Sequence, residues 1–250
     1  MRHALLVQSP GNAASSHDDC KPDRLPQCLQ TEKIPALKKA PGCPLCKSDA
    51  AGFFYEDARR RYFCCCICSL IFVPEYLHIS SSEEKAQYDL HRNEVEDPAY
   101  RGFLSRLSVP LVALLSPSAA GLEFGCGPGP ALLAMFREAG YQMSAYDPFY
   151  LPDTSVLDHQ YDFVSATEVV EHLRDPEATF EKLFSLVKPK GFLGLMTKMS
   201  NGAVEGFARW HYKNDPTHIC FYQRSSFEWL ADRYQANLIQ CAGDVVIFQR

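Results

Sequence analysis

The segment GLEFGCGPGP, residues 121–130, sets Gly125, Gly127 and Gly129 at alternate positions directly after a short apolar run. Glycines so spaced let a loop take backbone angles closed to other residues and bring its main chain against a ligand. The ligand class follows from what the loop lacks. No Lys-Ser/Thr pair ends it, so it is not a nucleoside-triphosphate cradle. The order G-x-G-x-G is not G-x-G-x-x-G, so the third glycine of a dinucleotide loop is missing too, while Pro128 and Pro130 stiffen the turn. Glu123 stands just before the loop. With no phosphate to bind, an acidic group is tolerated there, and it suits a ligand carrying an amino group and a sulfonium. Asp147 follows about twenty residues on, at the end of the next predicted strand, where a carboxylate can accept both hydroxyls of a ribose. Glycine spacing, preceding Glu and following Asp point together to S-adenosylmethionine.

A second constellation is made of thiols. Of eleven cysteines, eight lie between Cys20 and Cys68. A secreted, disulfide-stapled chain would spread them more evenly. The crowding favours a metal site in a reducing, cytoplasmic setting. Cys43-x2-Cys46 and Cys65-x2-Cys68 enclose eighteen residues, the spacing of a zinc ribbon. Each C-x2-C turn aims two thiolates at one point, and a hairpin brings both turns around a tetrahedral Zn2+. By spacing, Cys64 or Cys66 could stand in for Cys65. Four thiolates leave no open position, so the ion would be structural. Arg59, Arg60 and Arg61 in the hairpin suit either RNA recognition or a solvated tip.

Methyl transfer from a sulfonium is an in-line displacement from a donor already activated. The protein mainly aligns the partners, and a base is needed only if the acceptor must lose a proton. His172, His211 and His218 fall on segments expected at the cleft mouth, each a candidate base or acceptor-binding group. His218 is set off by Trp210, Tyr212, Asp215 and Tyr222, whereas His172 could instead cap a turn near Asp175. Glu168 and Glu171 could ligate a divalent ion, but two carboxylates without further ligands are slender grounds for one.

These groups must be positioned by regular elements. From residue 119 strands and helices alternate, which predicts a mostly parallel, doubly wound sheet with its ligand at the carboxyl ends of the strands. The predicted strands are AAGLEF, YQMSAYD, YDFVSATEVV and GFLGLMT, with LIQCAGDVVIFQR supplying a final antiparallel pair. ALLAMFREAG, DPEATFEKLFSLVKPKG and SSFEWLADRYQAN are the helices. The second closes at Pro189 and Gly191, and Ser225 and Glu228 form a capping box on the third. Ahead of them, residues 79–117 read as a helical connector, capped at Ser81 or Ser82 and restarted at Asp97-Pro98. Its Tyr88, His91, Tyr100 and Arg101 are candidates to close over a ligand. Residues 41–78 form the cysteine module, with FFYEDARRRYF as hairpin and SLIFVP as a strand. Residues 118–250 form the α/β domain. Residues 1–40, rich in small, polar and proline residues, are expected to be disordered.

The bulk figures narrow the classes. At 250 residues and 46% hydrophobic, the chain can bury one α/β domain and a small appendage. No apolar run approaches the roughly 18–20 residues of a membrane span. The net charge of -5 counts against a nucleic-acid coat protein.

E-x-G-x-G-x-G from Glu123, YDP at 146–148, YDFVSATEVVEHLRDP at 161–176 and KPKGFLGLMT at 188–197 resemble the class I SAM-dependent methyltransferases. In particular the chain resembles a bacterial group carrying CPLC…CxxCSLIFV ahead of the catalytic domain. WHYKNDPTHICFYQRSSF, residues 210–227, is similar to the H-x-x-F/Y-x-x-x-x-F segment of that group. The likeness spans roughly Cys43 to Gln249. It implies a Rossmann-like fold, favours Cys65 over its neighbours as a zinc ligand, and puts Glu123, Gly125, Cys126, Gly127 and Gly129 around the methionine and ribose of S-adenosylmethionine. It implies Asp147 at the ribose hydroxyls, Pro148 and Phe149 near the adenine, and Thr167, Glu168 and Val169 facing cofactor or substrate. One departure stands out. Only fourteen residues separate Asp147 from Asp162, where the family often has a helix, a third strand and an acidic adenine contact. TSVL reads as a curtailed third strand, and Asp158 is a poor candidate for the contact. The acceptor expected is a small molecule. The alternatives are RNA read by the cysteine module, or a SAM-binding protein without turnover.

Overall fold

A computed structural model describes residues 40–90 and 94–250. The disorder expected over residues 1–40 lies outside the described residues except at Ala40, and so does His91. Two sheets are present. The smaller is built from β1 (Ala51–Glu56), β2 (Arg61–Cys65), β3 (Ile71–Phe72) and β8 (Cys220–Phe221), in that order and all antiparallel. The larger holds β4 (Ala120–Phe124), β5 (Gln142–Tyr146), β6 (Tyr161–Thr167), β7 (Val187–Met196), β9 (Asn237–Ala242) and β10 (Val245–Gln249). Its order is β5-β4-β6-β7-β10-β9, and β10 alone runs against the other strands. This is the Rossmann-like, mostly parallel sheet with an antiparallel C-terminal strand that the alternation predicts.

The period of two along each strand separates the two faces of the sheet. Leu122, Val164, Ala166, Leu193 and Leu195 pack on one side with α4 (Pro176–Leu186) and α6 (Arg224–Tyr234). Phe163, Met196, Val245 and Ile247 pack on the other with α2 (Pro98–Val112) and α3 (Ala131–Glu138). Helices on both faces leave the strand ends as a polar rim of the sheet. The cysteine hairpin shares the first of these cores: Tyr62, Phe63 and Phe72 are buried with Phe207, Phe221 and Phe227. Phe207 belongs to the short α5 (Val204–Arg209).

Four local expectations are corrected. The first helix, α1 (Ser81–Tyr88), is capped by Ser80. Its hydroxyl accepts from the Glu83 amide while the Glu83 carboxylate accepts from the Ser80 amide, a full capping box. The helix from Pro176 stops at Leu186, and Pro189 and Gly191 lie inside β7 rather than ending the helix. Gly191 is needed there because a Cβ would meet the Asp162 carbonyl at 2.6 Å. TSVL is a 3-10 turn, residues 154–158, capped by Asp153, so β5 remains an edge of the sheet. In α6 the cap is Gln223 with Ser226, and Glu228 pairs instead with Arg224 at 2.9 Å.

Two glycines make a test of opposite signs. A Cβ on Gly121 would stand 2.3 Å from the Phe163 ring, whereas Gly102 in α2 has open space around it. Gly121→Val is expected to lower stability by about 2–3 kcal/mol through overpacking. Gly102→Ala is expected to raise it by about 0.5–1 kcal/mol through helix propensity. Urea unfolding followed by circular dichroism measures both. Equal effects would refute this packing.

Candidate active site

A cavity of about 760 Å³ opens at the carboxyl ends of β4, β5 and β6. The main chain and side chains from Gly125 to Pro128 form one wall, Asp147 to Tyr150 a second, and Thr167 to Val169 a third. His172 and His218 complete it, and Tyr88 of α1 and Tyr100 of α2 lie over it. Arg174 holds α1 at the mouth through a 2.9 Å bond to Glu84 and a 2.6 Å bond to the Ile79 carbonyl.

The glycine loop takes the conformation its composition predicts. Gly125 has φ +75° and its Cβ would strike Val169 at 2.5 Å, so the loop and the end of β6 are packed backbone to side chain. Gly127 has φ +63° and open space where a side chain would project. Asp147 fastens the loop: Oδ2 accepts from the Gly127 amide at 2.9 Å, while Oδ1 accepts from Phe149 and Tyr150 at 2.8 and 3.0 Å. Two carboxylate oxygens offer about four acceptor sites, so Oδ2 keeps capacity for another donor. Glu123 lies behind the loop at 3% exposure, with Oε2 lacking a hydrogen bond among the described residues. Burial pushes its carboxyl up to about 8, opposed by the Leu133 amide and reinforced by the Asp147 charge.

The third wall is electrostatically unusual. Glu168 has φ 51°, a left-handed angle that costs a non-glycine residue energy and is found at constrained sites. Its Oε1 has no partner among the described residues, and burial followed by the charge of Glu171 raises its carboxyl. Glu171 is 0% exposed; burial raises its carboxyl too, against the hydrogen bond donated by the Tyr212 hydroxyl at 2.5 Å. The His172 and His218 rings stand 4.7 Å apart, and Tyr212 lies 4.1 Å from His218. Burial first, then the neighbouring His172, lowers His218 to about 4, so the ring is neutral near pH 7.

Among the groups proposed from sequence, Gly125, Cys126, Gly127, Asp147, Pro148, Thr167, Glu168, His172 and His218 meet at this cavity. Glu123 and Gly129 are not in its lining. His211 is also outside it, exposed, with Nε2 3.1 Å from Lys198 Nζ. Tyr88 and Tyr100 reach the cavity, whereas Arg101 points to Glu138 and the Val95 carbonyl. Phe124 and Tyr146, whose rings are 5.3 Å apart, also line it. Their only signal in the sequence is their place at the ends of β4 and β5.

The cysteine hairpin gathers Cys43, Cys46, Cys65 and Cys68, whose sulfurs all lie within 4.8 Å of one another. Cys43 and Cys68 approach to 3.5 Å, Cys46 and Cys65 to 3.4 Å. Both distances are far beyond a disulfide bond of about 2.05 Å. They are near the edge of about 3.8 Å that a tetrahedron with metal–sulfur bonds of about 2.3 Å requires. The arginine run is occupied. Arg60, 9% exposed, donates to the carbonyls of Lys213, Asp215, Pro216 and His218. Arg59 donates to the Asn214 carbonyl, and Arg61 pairs with Glu56 at 2.7 Å. Only Arg60 leaves the tip for the interior; Arg59 and Arg61 stay at the surface.

Residues 92–241, more than half of the chain, match a family described as a methyltransferase domain. The chain belongs to that family. No curated protein sequence matches this methyltransferase significantly. Among solved structures it is similar to the Burkholderia thailandensis 1,6-didemethyltoxoflavin-N1-methyltransferase with bound 1,6-didemethyltoxoflavin and S-adenosylhomocysteine. Identity is 15%, the TM-score 0.50, and the match covers 79% of this chain and 98% of that one. A SAM-dependent methyltransferase from Thermotoga maritima aligns at 17% identity and TM-score 0.41, over 68% and 94% of the two chains. The magnesium protoporphyrin IX methyltransferase of Synechocystis PCC 6803 aligns at 12% and 0.43, over 70% and 97%. At such identities the likeness is one of fold. Family and fold together make this methyltransferase a class I enzyme.

The buried Glu123 gives the methyltransferase a pH signature. A carboxyl raised by burial binds its proton more tightly folded than unfolded. Its contribution is fully present below its ordinary value of 4.5 and is lost as pH rises through about 8. Glu123→Gln suffers no such loss. Its stability relative to the parent is therefore expected to climb by a few kcal/mol between those two pH values. Denaturant unfolding of the ligand-free protein across that range measures the difference, and a flat difference would contradict the burial argument.

Proposed function

We propose that this methyltransferase moves the methyl group of S-adenosylmethionine to a small-molecule acceptor. One observation carries the reading: the glycine loop and the Asp147 carboxylate, tied by the Gly127 amide, form adjoining walls of a single cavity. The residues fit such a donor. Open space at Gly127 lets the main chain lie against the ligand, and the spare capacity of Asp147 Oδ2 suits a ribose hydroxyl. Pro148 and Phe149 would flank the adenine. Gly125 and Cys126 would shape the methionine end, with Glu123 beneath them and Thr167 and Glu168 opposite. When bound, the donor supplies an activated methyl group. The chain supplies alignment and exclusion of water.

The remaining space, bordered by Tyr88, Tyr100, His172 and His218, suits an acceptor of modest size. His218, held neutral, is a candidate to take a proton from it; His211, outside the lining, is not. RNA is the weaker reading, because the arginines that would meet phosphates are already bound to carbonyls and to Glu56. In the solved Burkholderia enzyme the second bound molecule is itself small. For the hairpin, the four gathered thiols fit a structural zinc.

Two measurements test this reading. S-adenosylhomocysteine is expected to bind in calorimetry, and Asp147→Asn is expected to weaken it at least tenfold through loss of a charge-assisted hydrogen bond. Undiminished affinity in the variant would remove Asp147 from the donor site. Elemental analysis is expected to find at least one zinc per chain, one of them lost when the four cysteines are replaced by serine. Stripping it with a chelator is expected to cost about 3 kcal/mol, or roughly 10 °C in Tm. A Tm unmoved by metal loss would rule out the staple.

A further inference from the structure

His172 and His218 line one corner of the cavity and Glu171 is buried behind them, and the three together are more than a place for a base. Each of the three presents one ligating atom, and the three atoms lie within 4.8 Å of one another. His172 Nε2 is 4.0 Å from Glu171 Oε1. Both imidazoles are oriented by main-chain carbonyls: His172 Nδ1 lies 3.2 Å from Thr217 O, and His218 Nδ1 lies 2.7 Å from Tyr212 O. A ring nitrogen facing a carbonyl carries the proton, which puts the lone pair of each ring on Nε2. Orientation of histidine ligands through the far nitrogen is the usual outer shell of a protein metal site.

Glu171 supplies an independent sign. It is fully buried, yet its Oε2 has no hydrogen-bond partner among the described residues. A carboxylate in that position is costly unless a cation stands against it. Glu168, on the same wall, also carries a buried oxygen without a partner. Tyr212 spans the two acids, donating to Glu171 and lying 3.5 Å from Glu168.

We propose that Glu171, His172 and His218 bind one divalent transition-metal ion, distinct from the cysteine site. Two imidazoles and a carboxylate suit Zn2+, Co2+, Mn2+ or Fe2+. Three protein ligands leave positions open towards the cavity, as in catalytic sites and unlike the closed tetrad of thiols. The class of acceptor follows: a molecule that brings an oxygen ligand, such as a hydroxyl or a vicinal diol. With His218 engaged as a ligand rather than a base, the hydroxyl proton passes to solvent. The oxygen then attacks the methyl carbon, the C–S electron pair returns to sulfur, and S-adenosylhomocysteine leaves. This role rests on the methyltransferase reading of the cavity, whereas the ion-binding site does not depend on it.

The test titrates Co2+ into the full chain with its cysteine site already loaded with zinc. Weak visible d–d bands at one equivalent, without the intense near-ultraviolet thiolate-to-cobalt band, are expected. Glu171→Gln, His172→Asn and His218→Asn are each expected to weaken Co2+ binding at least tenfold. His172, at the cavity surface, is the variant least exposed to misfolding, and near-ultraviolet circular dichroism checks all three. S-adenosylhomocysteine affinity, followed separately by calorimetry, is expected to persist in them. No Co2+ binding to the parent, a purely thiolate spectrum, or unchanged binding in folded His172→Asn would overturn the site. Co2+ binding without S-adenosylhomocysteine binding would leave the site standing and remove the donor reading instead.

Discussion

A short run of main-chain hydrogen bonds joins the cysteine hairpin to the cavity. The Val73 amide donates to the Ile219 carbonyl, and the Ile219 amide donates to the Glu171 carbonyl, both at 2.9 Å. With β3 paired to β8, this run fixes the segment carrying His218 between the hairpin on one side and the end of β6 on the other. Arg60 completes the arrangement. A loop with several buried carbonyls and no regular structure needs donors from elsewhere. One buried guanidinium provides them to residues 213, 215, 216 and 218 at once. Lys213, itself buried, adds a 2.6 Å pair to Asp57 at the turn of the hairpin. Despite burial, that pair and two backbone amides bring the Asp57 carboxyl down to about 2.

The opposite side of the cavity is held by an acid rather than a base. Asp147 draws together the loop after β4 and the turn after β5 through three amide donors. Fixed dipoles around a carboxylate need no reorganisation when a ligand arrives, which is the condition for an aligned displacement. The two sides therefore differ in kind. Asp147 is well solvated by amides, whereas Glu168 and Glu171 are crowded and incompletely satisfied. The first is suited to hold a donor's ribose; the second is a pair of buried acids whose carboxyls are raised, beside the His218 ring that burial keeps neutral.

The glycine loop, Asp147 and the two C-x2-C turns were legible in the sequence because each follows from local spacing, although spacing left Cys64, Cys65 and Cys66 as alternatives and only the family resemblance favoured Cys65. A loop between a strand and a helix is a local object, and so is a C-x2-C turn. The order of strands and helices was legible for the same reason, since each segment is a local object. What escaped was non-local. Arg60 reads as a tip residue until β3 meets β8, about 150 residues away in sequence. The carbonyls it binds belong to a loop whose only signal was its aromatic content. Phe124 and Tyr146 became part of the cavity because parallel pairing puts the ends of β4 and β5 side by side. Caps failed by one or two positions at Ser80 and Gln223 because neighbouring Ser residues compete for the same role.

The hairpin's place in the fold bears on what its thiol cluster does. A small ribbon hung on a flexible link would gain only its own stability from a metal ion. Here the third strand of the ribbon is bonded to a strand that begins two residues after His218. The rings of Tyr62 and Phe221 stand 5.9 Å apart in the shared core. Loosening the four-cysteine end would free β2 and β3, then the partner of β8, and with it the carbonyls that Arg60 satisfies. The thiol cluster is tied through β2 and β3 to β8, and so to the segment that carries His218. On this fold an ion held by the four thiols would bear first on the acceptor side, because the glycine loop and Asp147 of the donor side are carried by β4 and β5, which do not pair with the hairpin.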